Sequence, residues 1–443
     1  MNRWNEVKYL MNKYVILPSS SDLNRGDQAL VWQTVEIAKK AGCDGTFYML
    51  SNDKNSAKQS QAIGLRILKP ILKHPSRKFK AKENNEYNIK LIIKWGFVAI
   101  FDLLVSILIL MRFTRMIIFP LLPKNEKQTL KTIEESNACF VKGGGFIHSS
   151  GKITDSYTVY YQLFHILLAQ SLNKPVYVMP NSFGPFPGLG IAWLVRRVLK
   201  SCKIVTVRET ISKDMLAEIG IEAQLFPDLA FGLSKSEELN TEVSDLRKRY
   251  PRRQLVAITA RPYRFPGSLD PSKKYKAYVE NMIKFSKWLY EENCLPVFVE
   301  HTLSETTHEN DGICIAEIIT NLSQDEYAII SNKDYTCRDL KAIYASFDYI
   351  VGTRFHSVIF SLAEGIPVLA ITYGGNKGQG IMGDLGLSDY AISMSEFDFK
   401  KAKHAFLKLC ENRTHVCSQL AECNLDIEKS LCQLVNVLQE EIK

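Results

Sequence analysis

No two cysteines of this 443-residue chain stand in a C-x-x-C pair, and ten cysteines over that length are too sparse for a disulfide scaffold. Zinc ribbons and thioredoxin-type chemistry therefore have no footing, and free thiols in a reducing cytoplasm are expected. The opening stretch MNRWNEVKYLMNKYVIL lacks an apolar core ending in small residues, so no signal peptide is expected. Internal repeats and low-complexity tracts are absent, which excludes solenoids and propellers. The composition, 46% hydrophobic and 23% charged, is that of a globular protein with a sizeable core.

One thing is present in excess. The formal net charge is +9, and residues 66–124 hold twelve Lys and Arg against three Asp and Glu, which equals the whole imbalance. The same segment contains the longest apolar run, Trp95–Met111, followed by FTRMIIFPLLP. Seventeen residues is the lower edge of a membrane span. Asp102 near its middle would oppose insertion by about 2.5–3.5 kcal/mol. A helix lying in the membrane interface is the preferred reading, its basic flanks meeting anionic lipid at about 1 kcal/mol per Lys or Arg. A buried core or oligomer-contact helix is the alternative. The basic stretch carries no nucleic-acid recognition motif, so no nucleic-acid partner is expected.

Elsewhere short apolar runs alternate with amphipathic ones. Strands are expected at 14–17, 46–50, 138–141, 175–180, 204–207 and 223–226, with helices at 154–171, 188–201 and 210–219. The charged stretch 234–253 reads as a linker or boundary helix. Alternation resumes at 255–260, 295–300, 327–330, 347–351 and 366–372, and the tail beyond about 395 reads as two helices. The expected architecture is α/β: two Rossmann-like domains facing a cleft, spanning 1–235 and 250–395, then C-terminal helices at 396–443. The first would carry the 66–124 insertion.

Open α/β sheets bind ligands beyond the carboxyl ends of their strands, so the residues following each strand are the site candidates. After 14–17 come Asn24, Gly26 and Asp27 at a helix start, suited either to capping or to hydrogen bonds with sugar hydroxyls. After 138–141 come Gly143, Gly144 and Gly145, which form either an anion-binding nest or a structural tight turn. This run is no P-loop, because no G-K-[ST] follows. Strand 255–260 ends at Arg261. Strand 295–300 ends at Glu300–His301, before a loop whose His308, Glu309 and Asp311 match no zinc spacing. The richest stretch is 351–387, where Arg354, His356 and Ser357 open an apolar helix. That helix end offers free N–H groups, Arg354 a fork donor for phosphate or carboxylate, and His356 a proton near neutral pH. Lys377 follows the next strand, and the set reads as an anion site.

The motifs N-R-G-D-Q-A (24–29), K-G-G-G (142–145), R-E-T (208–210), P-D-L-A (227–230) and T-R-F-H-S within 351–387, with the later Lys377 and D-L-G-L, resemble the polysaccharide pyruvyl transferase family. The resemblance runs from residue 24 to 387 and leaves 66–124 uncovered. It implies a GT-B-like fold and transfer of the pyruvyl group of phosphoenolpyruvate to two sugar hydroxyls, forming a ketal and releasing phosphate. It also implies an acceptor in a bacterial capsule, exopolysaccharide or cell-wall glycan, commonly assembled on a lipid carrier at the cytoplasmic face of the membrane. Arg354, Lys377 and Arg261 would then bind the donor's two anionic groups. His356 is the candidate general acid and Asp27 the candidate base or acceptor ligand, with Asn24, His301, Ser357 and the three glycines lining the cleft. No metal or cofactor is expected, since side chains supply the cations. A nucleotide-sugar glycosyltransferase and a non-catalytic assembly scaffold are the alternatives.

Overall fold

The computed structural model describes residues 12–52, 55–73, 75, 89–237, 241–304, 309–374 and 377–442; the side chains of 89–92 and of Lys377 lie outside that description. Among the described residues, fourteen strands form two sheets. The first contains β1 (Lys13–Leu17), β2 (Thr46–Leu50), β3 (Arg66–Leu68), β4 (Ala138–Val141), β5 (Gly144–Ile147), β6 (Val176–Phe183), β7 (Ile204–Val207) and β8 (Gln224–Leu225). Its order is β3-β2-β1-β4-β6-β7-β8, with β5 beside β6. The second contains β9 (Gln254–Thr259), β10 (Cys294–Val299), β11 (Ala328–Ile330), β12 (Tyr349–Gly352), β13 (Val368–Thr372) and β14 (Ala391–Ser393), in the order β11-β10-β9-β12-β13-β14. All pairings are parallel.

Parallel sheets are covered on both faces, which is why these strands read as continuous apolar runs rather than alternating ones. In β1, Val15 and Leu17 face a core built on the 153–171 helix. Tyr14 and Ile16 face the other way, into a core continuous with that of the second lobe. Cys139 and Val141 against Phe140 repeat the same division in β4. Each sheet reverses its strand order once, between β1 and β4 and between β9 and β12. Those switch points are where a crevice opens beyond the strand ends.

Three features depart from the sequence reading. β3 lies within 66–124, so the first residues of that segment are an edge strand and the inserted part comes after it. The glycine run continues into β5 instead of turning, a strand that glycine's low β-propensity conceals. β14 was not anticipated. The 234–253 stretch, as expected, holds a boundary helix, Thr241–Arg249, before β9 begins. The tail forms two helices, Phe399–Glu411 and Arg413–Ile442. The second crosses back to the first lobe, where the Tyr177 hydroxyl donates to the Glu441 carbonyl at 3.1 Å.

The segment after β3 forms a helix over Ile89–Leu110, a second over Arg112–Ile118 and a third over Lys124–Glu134. The strands on either side, β1 to β3 before it and β4 after it, are neighbours in one sheet. Both flanks therefore lie on one side of any membrane, and the helix is not a simple span.

Candidate active site

Helix Arg25–Lys40 starts just beyond β1, and five successive residues at its head each do something different. Asn24 is the N-cap, its Oδ1 accepting from the Gly26 and Asp27 amides at 3.1 and 3.4 Å. Arg25 is fully buried and reaches into the second lobe: its Nε donates to Asn332 Oδ1 at 2.9 Å and its Nη2 to the Asn332 carbonyl at 3.0 Å. Gly26 leaves room for His356, which packs where any Cβ would stand. Asp27 pairs with Lys142 at 2.7 Å. Gln28 accepts from the Cys337 amide of the second lobe at 2.7 Å. The two lobes also meet where Leu303 N–H donates to the Leu23 carbonyl at 2.8 Å.

Between them lies a cleft of about 270 Å³. Of the residues the sequence singled out, Asn24, Asp27, Gly144, Gly145, His301, Arg354 and His356 line it. Ser357 sits one step behind: it is buried, donates to the Arg354 carbonyl at 2.6 Å and contacts Thr259 Oγ1 at 2.9 Å, so it fixes the helix start that presents His356. Gly143 is also behind the wall, packed on Leu30 and the Pro180 carbonyl. Arg261 stacks on the lining residue Tyr373, 4.3 Å from its ring centre, and reaches Glu309 at 3.7 Å. Lys377 begins the helix Lys377–Asp384, and its side chain lies outside the described residues, as does His308.

Arg354 is committed more deeply than its sequence context suggested. Its Nε and Nη2 both bind Asp311 Oδ1 at 2.6 Å, and Nη2 also donates to the Glu309 carbonyl at 2.7 Å. Asp311 in turn accepts from the His301 and Thr302 amides at 3.0 and 2.8 Å. The pair thus welds the end of β10 to the end of β12. Burial pulls the Arg354 pKa down, but Asp311, Tyr373 and Glu309 outweigh it and hold the guanidinium firmly charged.

His301 is completely buried. Its Nδ1 lies 3.2 Å from the Tyr344 hydroxyl, and its Nε2 has no hydrogen-bond partner among the described residues. Burial, then the positive surroundings of His356 and Arg354, push its pKa well below the ordinary value, so the ring is neutral. A buried ring nitrogen left unbonded at a cleft wall is costly unless a ligand meets it.

The strand-end rule also marks two cations to which the sequence reading gave no role. Lys142, the first residue after β4, is buried beside Asp27, and Arg208, the first after β7, lines the cleft while binding Asp228 and the Ser182 hydroxyl. Glu209, behind Arg208, has its pKa raised by burial. Tyr161, Gln162 and His165 come from the middle of helix Ile153–Ser171, where no strand end signals them. Burial lowers the His165 pKa to about 3, and its Nε2 accepts from the Ile71 amide. Among the described lining side chains, three cations (Lys142, Arg208 and Arg354) stand with one carboxylate, Asp27, while Asp228 and Asp311 pair with Arg208 and Arg354 from behind the wall. A ligand with more than one negative group would find several basic donors together at this surface.

A family model described as polysaccharide pyruvyl transferase matches residues 24–375. The amylovoran biosynthesis protein AmsJ of Erwinia amylovora is 25% identical over 277 residues, 61% of this chain and 64% of that protein, so the match spans less than two thirds of the relative. UDP-GlcNAc 2-epimerase of Neisseria meningitidis, bound to UDP-GlcNAc, superposes with a TM-score of 0.56 at 11% identity, over 97% of this chain and all of that one. Apo UGT2 of Phytolacca americana gives 0.52 at 8% identity, over 96% and 99%. At such identities the structural likeness concerns the fold alone, which is of the GT-B type.

Proposed function

The chain belongs to the polysaccharide pyruvyl transferase family, and from that premise we propose that it transfers the pyruvyl group of phosphoenolpyruvate to two hydroxyls of a glycan sugar. The observation that carries the proposal is the cation-rich cleft at the switch points of both sheets, with one ionisable carboxylate and His356 in it. Phosphoenolpyruvate has a phosphate and a carboxylate, and Lys142, Arg208 and Arg354 offer charge to both. Arg354 acts partly by holding the wall, because Asp311 already takes its fork. Lys377 and Arg261 remain candidates for the donor's outer oxygens.

In this reading His356 delivers a proton to the methylene carbon, which becomes a methyl group and leaves C2 electrophilic. The first sugar hydroxyl attacks C2 and gives up its proton, for which Asp27 is the acceptor in reach. The C2–O bond to phosphate then breaks, the second hydroxyl closes the ketal, and its proton leaves with the phosphate. The two hydroxyl protons thus balance the one on C3 and the one on phosphate. Neutral His301 points its unbonded Nε2 at a substrate oxygen. The scheme calls on no metal or cofactor. The acceptor is taken to be a bacterial surface glycan, in keeping with the relative named for amylovoran biosynthesis. The enzyme would work in the cytoplasm, with 66–124 touching the inner face of the membrane where lipid-linked glycans are built.

Thermal unfolding with phosphoenolpyruvate, set against a panel of UDP-, GDP- and CMP-sugars, tests the donor. A ligand at 100 times its Kd raises stability by about 2.7 kcal/mol. A shift with phosphoenolpyruvate that Lys142→Met abolishes supports the proposal. A shift with a nucleotide sugar alone replaces it with glycosyl transfer.

A further inference from the structure

The helix Ile89–Leu110 is amphipathic in the wrong sense for a protein bathed in water. Apart from Lys94, its described exposed side chains are apolar: Ile93, Phe97, Phe101, Leu104 and Leu108, with Met111 in the turn that follows, form one stripe at steps of three and four residues. Phe97 and Phe101 are 70% and 66% exposed. Two polar residues in its middle, Asp102 and Ser106, are turned inward: Asp102 is buried within electrostatic reach of Tyr157, and Ser106 lies 2.7 Å from the Tyr160 hydroxyl. The stripe continues past the turn through Phe113, Met116, Ile117 and Leu121, between 71% and 82% exposed.

The turn itself carries a second, independent sign. The last carbonyls of a helix need partners, which water or side chains can supply. Here side chains take them. Arg115, itself buried, donates from Nε to the Ile109 carbonyl at 2.7 Å and from Nη2 to the Leu110 carbonyl at 2.8 Å. Thr114 donates to the Leu108 carbonyl at 2.6 Å. Backbone groups need internal partners of this kind where no water reaches them, as in hydrocarbon. Arg115 also donates to Ser171 Oγ at 2.8 Å, tying the turn to the body of the protein.

We infer that residues 89–121 form an in-plane membrane anchor, with the stripe and the Met111 turn sunk into the acyl boundary of an anionic bilayer. The choice of bilayer over a protein partner follows from charge. The only acid on the apolar helix, Asp102, is buried, and residues 66–124 together supply the chain's whole positive excess. The anchor runs alongside helix Ile153–Ser171, with Asp102 beside Tyr157 and Arg115 beside Ser171. That same helix lines the cleft through Tyr161, Gln162 and His165. A single helix, about 10 Å across, therefore separates the anchor from the cleft. The inference deepens the proposed membrane contact, but it does not need turnover to be tested.

Flotation of the purified full chain with phosphatidylglycerol/phosphatidylethanolamine vesicles, against phosphatidylcholine vesicles, reads it directly. The wild type is expected to float with the anionic vesicles. Phe97→Glu/Phe101→Glu/Leu104→Glu is expected to lower partitioning at least tenfold while keeping the wild-type unfolding temperature and any phosphoenolpyruvate shift. Arg112→Gln/Lys124→Gln should weaken binding to anionic vesicles only. The inference is overturned if the wild type stays with the protein fraction, and equally if it sediments as a dimer that the triple variant dissolves, since a second copy then covers the stripe. Loss of the phosphoenolpyruvate shift in the wild type would count against pyruvyl transfer and leave the anchor standing.

Discussion

Gly26→Ala should silence the enzyme while barely unfolding it. An added Cβ would stand 2.7 Å from the Cβ of His356 and nearer still to its Nδ1 and Cγ, so the imidazole must leave its place. Overpacking of this kind costs about 1–3 kcal/mol. Alanine's better helix propensity at the second position of Arg25–Lys40 offsets up to about 1 kcal/mol. The net loss is then roughly 0–2 kcal/mol, a few degrees at most in Tm for a chain of this size. Displacing a general acid lowers turnover by about 10²–10⁴. Phosphate release from phosphoenolpyruvate with acceptor, measured beside Tm, separates the two effects. The double variant Gly26→Ala/His356→Ala removes the clash, so its Tm should match or exceed that of His356→Ala and its turnover should be no lower. Turnover of Gly26→Ala within threefold of wild type would refute the role given to His356.

Arg354→Ala should destabilise by about 3–5 kcal/mol, since it strands Asp311 as a buried unpaired charge; Arg354→Met/Asp311→Asn, whose side-chain oxygen can still accept from the His301 and Thr302 amides, should regain most of that in denaturant unfolding without regaining turnover. Arg25→Met should lower stability by about 3 kcal/mol in the same assay, because its guanidinium is buried and bonded to both lobes. Lys142→Met, beside the half-exposed Asp27, should change Tm little and abolish the phosphoenolpyruvate shift. Acid should weaken the fold below pH 6.5: there the unfolded His165 ring binds a proton that the folded ring, with its pKa near 3, refuses. Between pH 7 and 5 this amounts to roughly 2 kcal/mol for His165, absent in His165→Gln. A flat stability profile over that range would contradict it.

Much of the site was legible because of one regularity: parallel sheets put ligand contacts just after their strands. Asn24 and Asp27 follow β1, Arg354 and His356 follow β12, and all four reach the cleft. Lys142 and Arg208 obey the same rule and stand in the K-G-G-G and R-E-T motifs, but those short motifs assign them no role. Tyr161, Gln162 and His165 were illegible for a different reason, since a mid-helix residue declares its facing only once its neighbours are placed. β5 was hidden because glycines carry no strand signal of their own.

Taken alone, the amino-acid order determined the alternation of strands and helices, the segment that carries the charge, and the family to which the chain belongs. Those properties are written in period and residue type over short stretches. Tertiary structure alone decided that Arg354 spends its fork on Asp311, that Gly26 exists to admit His356, and that Asp102 faces inward beneath an apolar stripe. Each of these depends on which surfaces meet across more than forty residues of chain, and no local pattern encodes that meeting.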